Sequence, residues 1–247
     1  VCSWHAPSQA IVVRNAHLSD AAIALALDDV PTDLCVGGDG VLYVALPGRV
    51  LMHDLRRRWD DVDVTAPGFA PWRLAVHPEG GAWVLERSSG RLARLTGHPL
   101  PDQTPATDAY APGVFRPAPE NCRVPTLNVV HDGWSGVAQP LALACHAAGG
   151  LLLMGWNTLG QAWVRRWHET TREPGPMRLL RGAMHAFALT WLDGERIAVR
   201  MPGRVDAPAF AIDDSPVGEL SALGEVFPLA SDQREAPFVH RVDGVAH

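Results

Sequence analysis

An internal repeat with a period near 40 residues constrains this chain more than any other feature. Pro31-Thr-Asp-Leu-Cys-Val-Gly-Gly-Asp-Gly-Val-Leu-Tyr-Val44 aligns without a gap on Pro71-Trp-Arg-Leu-Ala-Val-His-Pro-Glu-Gly-Gly-Ala-Trp-Val84. A third copy, Pro140-Leu-Ala-Leu-Ala-Cys-His-Ala-Ala-Gly-Gly-Leu-Leu-Leu153, aligns ungapped on the second, and a fourth, Ala186-Phe-Ala-Leu-Thr-Trp-Leu-Asp-Gly-Glu-Arg-Ile-Ala-Val199, follows after a shift of one residue at its turn. Each copy has a short apolar run, a turn containing Gly and a second apolar run, which reads as a β-hairpin. A unit of this size buries its apolar faces only by stacking on its neighbours, so the period dictates an array.

Two further alternating runs follow every hairpin. They are Val50–Leu55 and Asp61–Thr65 after the first copy, and Arg91–Leu95 and Thr126–Val130 after the second. After the third they are Ala162–Trp167 and Met177–Leu180, and after the fourth Ala207–Ile212 and Glu225–Leu229. Four strands in about 40 residues predict an all-β chain, a β-propeller of four-stranded antiparallel blades. Helical repeats of similar length need periodicity sustained over 10 to 15 residues, and Gly or Pro interrupts every run well before that. Only 21–28 has an Ala and Leu pattern that suits a helix, and the same pattern suits an outer strand.

The units predict blades at 31–70, 71–139, 140–185 and 186–236 within a single domain spanning 1–247. Up to three short strands in 1–30 and an inner strand at 237–242 predict a closing blade built from 1–30 and 237–247, which would hide raw sheet edges. That gives five blades, or six if sequence continues past His247. The start, Val-Cys-Ser-Trp-His, is neither an initiator Met nor a signal peptide, and leads to the expectation of a piece of a longer protein in the cytoplasm or in a phage-tail-like particle. Seven prolines fill the insertion 99–125, which predicts an irregular segment over an outer edge or a docking segment for another chain.

Leu74-Ala-Val-His-Pro-Glu-Gly-Gly-Ala-Trp-Val-Leu-Glu86, followed by Gly90, Arg91 and Leu92, resembles the NHL-type blade, in which an apolar inner strand, an acid-Gly turn and a second strand ending in an acid precede an Arg-hydrophobic third strand. Ala45 and Arg200 replace that acid in the first and fourth copies, and Gly155 lies near its place in the third. The layout, including the insertion and Glu235-Ala-Pro-Phe-Val-His-Arg-Val-Asp-Gly244, is also similar to the propeller region of large bacterial proteins described as phage-tail-like. This second resemblance implies a scaffold or protein-interaction role in a larger assembly.

Composition narrows the chemistry. All 21 basic residues are Arg, so lysine Schiff-base, P-loop and kinase chemistry is excluded. Missing Lys and only four Ile match the codon usage of a high-GC bacterial genome. A net charge of −6 with both signs interspersed predicts neither a nucleic-acid nor an acidic-membrane partner. No apolar run reaches membrane-spanning length. Cys2, Cys35, Cys122 and Cys145 lack CxxC spacing and read as reduced core residues. His168-Glu-Thr-Thr-Arg172 fails the zincin pattern because Arg stands where the second His belongs.

No catalytic constellation, metal site or cofactor is predicted. The repeat instead places Arg49, Glu86, Arg87, Trp156, Asn157, Arg200 and Arg204 on turns at the propeller mouth, where Arg and Trp suit recognition of a carboxylate, a phosphate or a protein loop. One alternative is a metal-dependent hydrolase or lyase of the lactonase type, for which only Glu86 and Asn157 of these supply hard oxygen ligands. The other is a carbohydrate-binding propeller using Trp4, Trp59, Trp134 or Trp156 as stacking surfaces, with Trp83, Trp163 and Trp191 as wedges between blades.

Overall fold

Glycine turns every few residues leave strands too short for anything but narrow sheets, and those sheets are buried on both faces. The computed structural model describes residues 2–5, 9–14, 22–56, 59–97, 124–134, 138–213 and 218–228. The first sheet contains β1 (Cys2–His5), β2 (Ala10–Arg14) and β3 (Ala22–Ala26). Blade one is β4 (Asp33–Val36), β5 (Val41–Leu46), β6 (Arg49–Asp54) and β7 (Val62–Val64), and blade two is β8 (Pro71–Val76), β9 (Ala82–Glu86), β10 (Leu92–Thr96) and β11 (Thr126–His131). Blade three has β12 (Pro140–His146), β13 (Gly150–Trp156), β14 (Gln161–His168) and β16 (Arg178–Met184), with the two-residue β15 (Glu173–Pro174) paired to β14. Blade four has β17 (Ala188–Trp191), β18 (Arg196–Arg200), β19 (Asp206–Ala211) and β21 (Ala222–Pro228).

The described residues thus form a β-propeller with four complete blades, plus a three-stranded sheet from the first 26 residues. The strand expected at 237–242 and most of the insertion at 99–125 lie outside the described residues. The segment 22–26, which suited either helix or outer strand, is the outer strand β3.

Strand periodicity explains the burial. Along β5, Val41, Tyr43 and Ala45 pack toward blade two with Leu74, Val84 and Leu95. Leu42, Val44 and Leu46, between them, pack toward Ile11 and Leu27 of the N-terminal region. Successive side chains of a strand point to opposite faces, so a middle strand with both faces covered reads as an unbroken apolar run. The same split recurs in β13, where Leu151 and Leu153 meet Trp83 and Leu85 of blade two while Leu152 and Met154 meet Ile197 and Phe210 of blade four. Trp83, Trp163 and Trp191, at most 2 % exposed, fill these interfaces as wedges. Gly155 is required beside Trp163, because a Cβ there would collide with that indole and with the Gln139 carbonyl.

Within the blades two strands have no counterpart in the repeat, β15 and β20. β20 (Glu219–Leu220), from the β19–β21 connection of blade four, pairs in parallel with Leu179 and Leu180 and so extends blade three's sheet.

Candidate binding face

Antiparallel alternation puts the turn between second and third strands of each blade on the same side as the link entering the next blade. All seven predicted mouth residues occupy these second-to-third turns or the strand ends that flank them. Their neighbours show how each is used.

In blade one, Arg49 donates to Asp29 at 2.9 Å and Asp28 at 2.5 Å and approaches Asp63 at 3.3 Å. It fastens the segment before β4 to the β6–β7 pair. In blade two, Glu86 is buried and accepts from Arg91 Nε at 2.8 Å, Arg91 Nη2 at 2.5 Å, the Ala70 N–H at 3.0 Å and the Ser89 hydroxyl. A carboxylate has about four lone-pair sites, and all four are filled. Chiefly through the Arg91 hydrogen bonds, the Glu86 carboxyl is held down to about 2. Arg87, exposed at the tip of this turn, lies 5.6 Å over the Trp72 ring.

In blade three, the Trp156 indole N–H donates to the Ala186 carbonyl at 2.5 Å, and the ring meets His185 edge-on at 5.4 Å. Asn157 Oδ1 accepts the N–H groups of Leu159 and Gln161, both at 3.0 Å, closing the turn. In blade four, Arg200 is buried over the Phe187 ring at 5.5 Å, and burial lowers its ionisation from the usual guanidinium range. Arg204 is exposed and holds Asp206 through two hydrogen bonds, at 2.6 and 3.0 Å. The two oxygen donors suited to a hard cation, Glu86 and Asn157, therefore have their acceptor sites occupied by hydrogen-bond donors of this chain.

Trp72 and Arg73 escaped the sequence reading. Both sit at the mouth end of the inner strand β8, Arg73 with its guanidinium 4.6 Å over the Trp72 ring and donating to the Thr32 carbonyl at 3.1 Å. The signal was there: in the ungapped alignment they replace Thr32 and Asp33 of the first copy and Leu141 and Ala142 of the third.

The same face carries exposed aliphatic side chains: Val30 before β4, Leu159 and Val205 on the turns of blades three and four, and Met184 at the end of β16. Leu159 is the most open of these, 76 % exposed. The tryptophans considered for sugar stacking are packed instead where their side chains are described. Trp59 lies against the core between blades one and two. Trp134 packs on His131 at 4.0 Å and Trp167 at 6.3 Å.

On the opposite face the turns are closed by side-chain caps. Asp39 and Asp193 accept backbone N–H groups in blades one and four, and His77 and His146 do so through Nδ1 in blades two and three. His77 is buried, and its Nε2 contacts Glu169 of blade three at 3.1 Å. Among the described residues no group of three or more His, Cys, Asp or Glu could hold a metal, and no helix is long and apolar enough to cross a membrane.

No protein-family model matches the chain, and comparison with characterised sequences returns no significant match. Solved structures do match in fold. A streptogramin B lyase aligns with a TM-score of 0.51 at 12 % identity over 94 % of this chain, and virginiamycin B lyase from Staphylococcus aureus with 0.54 at 10 % over 90 %. YCF48 bound to D1 peptide aligns with 0.52 at 9 % over 92 %. The chain spans just under two thirds of the length of these structures, 66 %, 64 % and 63 % respectively. At such identities the likeness is one of fold, and the matched propellers include lyases and a peptide-bound protein.

Proposed function

We propose that this chain is a protein-binding propeller module that docks its partner on the face carrying the second-to-third turns, as part of a larger bacterial phage-tail-like assembly. The observation that carries the reading is that Val30, Leu159, Met184 and Val205, four of the eight exposed large hydrophobics among the described residues, lie at this end of the blades. Exposed apolar side chains rimmed by polar groups are the usual mark of an interaction surface. The mouth arginines fit that role, since Arg49 and Arg204 already hold carboxylates and leave a rim of ion pairs around the aliphatic positions. YCF48 supplies a precedent for a propeller of this fold holding a peptide.

Isolation of the tagged protein from its source, with and without Leu159→Asp and Val205→Asp together, tests the proposal. A co-purifying protein at stoichiometric ratio, lost in the double variant while the protein stays folded, is the expected result. Identical recoveries from both would defeat the docking face.

A further inference from the structure

Blade two presents two cations to one aromatic ring. Arg73 reaches Trp72 from the inner strand and Arg87 from the turn after β9, with guanidinium carbons 4.6 and 5.6 Å from the same indole centroid. Arg49, Arg91 and Arg204 on this face each hold a carboxylate within 3 Å. Among the described residues no carboxylate pairs with Arg73 or Arg87. Arg73 donates to the Thr32 carbonyl, and the Arg87 guanidinium lies over the Trp72 ring. Asp33 acts on Arg73 electrostatically, but its two oxygens accept the N–H groups of Leu34 and Leu74. Burial disfavours the ionised form of Arg73, the Asp33 charge favours it, and the Arg87 charge opposes it.

We propose that Trp72, Arg73 and Arg87 form a carboxylate-binding site that seats an acidic side chain of the protein partner. An incoming carboxylate relieves the repulsion between the two guanidiniums and accepts charge-assisted hydrogen bonds from both. Arg73 is already anchored through Thr32, exposed Arg87 closes over the anion, and the indole face covers the methylene stem of a Glu or Asp. The proposal deepens the docking reading and rests on it for the ligand being a protein segment.

The test is fluorescence anisotropy of a labelled octaglutamate peptide with the full chain, against a Gln/Ser peptide of equal length. Octaglutamate should bind and weaken with salt while the neutral peptide does not. Arg87→Glu should weaken binding by about tenfold or more. Arg181→Gln, on the outer strand β16, should stay within about twofold. Thermal melts establish that both variants are folded. Equal octaglutamate binding by wild type and Arg87→Glu would overturn the site, and a phosphoserine peptide that binds where octaglutamate fails would overturn the carboxylate assignment. Octaglutamate binding through Arg87, combined with unchanged co-purification by the Leu159/Val205 variant, would keep the anion site and remove the docking face. The converse result removes the site alone.

Discussion

Glu86→Gln is the sharpest probe of how the mouth of blade two is built. The carboxylate takes four hydrogen bonds, from Arg91 twice, Ser89 and the Ala70 N–H, and thereby ties the β9–β10 turn to the link before β8. Its pKa falls from an ordinary 4.5 to about 2. At about 1.4 kcal/mol per unit, that depression corresponds to about 3 kcal/mol of folding stability at neutral pH. The side chain is 3 % exposed, so solvent screening removes little of this. Because the folded pKa lies below the unfolded one, the contribution is complete above about pH 4.5, erodes as acid protonates the unfolded chain, and is gone once pH falls through about 2. Urea denaturation of wild type and Glu86→Gln should show a gap of about 2–3 kcal/mol at neutral pH. At pH 3 that gap should narrow by about 2 kcal/mol. A pH-independent gap, or none at pH 7, would refute the account of Glu86 as a turn lock.

Gly155→Ala should cost about 1–3 kcal/mol by overpacking against Trp163, and Trp163→Ala about 3–5 kcal/mol by opening a cavity. Combined, they should be less damaging than the two costs added, and strict additivity in a double-mutant cycle would contradict the collision. Burial, and next the Arg94 charge, lower the His77 imidazole from its ordinary value although Glu169 pulls it up. The unfolded chain therefore takes up that proton first, and stability contributed by neutral His77 declines as pH falls below about 6.5. His77→Asn preserves a cap for the Glu79 N–H and should flatten the dependence of Tm on pH between about 7 and 5.5. Burial pushes the Cys145 thiol up to about 12, so in a Cys2→Ser, Cys122→Ser background an aromatic disulfide reagent should titrate Cys35 and Cys145 only after unfolding.

Most of the fold was legible because its punctuation is local. Gly40, Gly81 and Gly150 all adopt positive φ at the turn between first and second strands, so the backbone requirement is written into the repeat itself. Runs such as Val41–Leu46 marked strands buried on both faces. β20 left no trace, since two residues with no counterpart in other copies acquire strand geometry only from blade three beside them. At the proposed face, the repeat put the seven residues at second-to-third turns but did not show how their charges are used. The acid and Arg of the blade-two pattern, Glu86 and Arg91, are five residues apart across a tight turn, a spacing that itself signalled a closed pair. Trp72 and Arg73 were hidden because a strand end tolerates either polar or apolar residues, and only their common approach with Arg87 gives them meaning.

β20 also changes how the array comes apart. Arrays stabilised by neighbour contacts fray from their ends, each terminal unit opening independently at a cost set by one interface. Here the connection inside blade four supplies a strand to blade three, so β19 and β21 cannot unravel without tearing Glu219 and Leu220 from Leu179 and Leu180. Arg181 to Glu219 at 3.0 Å and Arg178 to Asp213 at 2.5 Å cross the same seam. Blades three and four should therefore behave as one cooperative unit in hydrogen exchange, with β16 and β18 amides opening together.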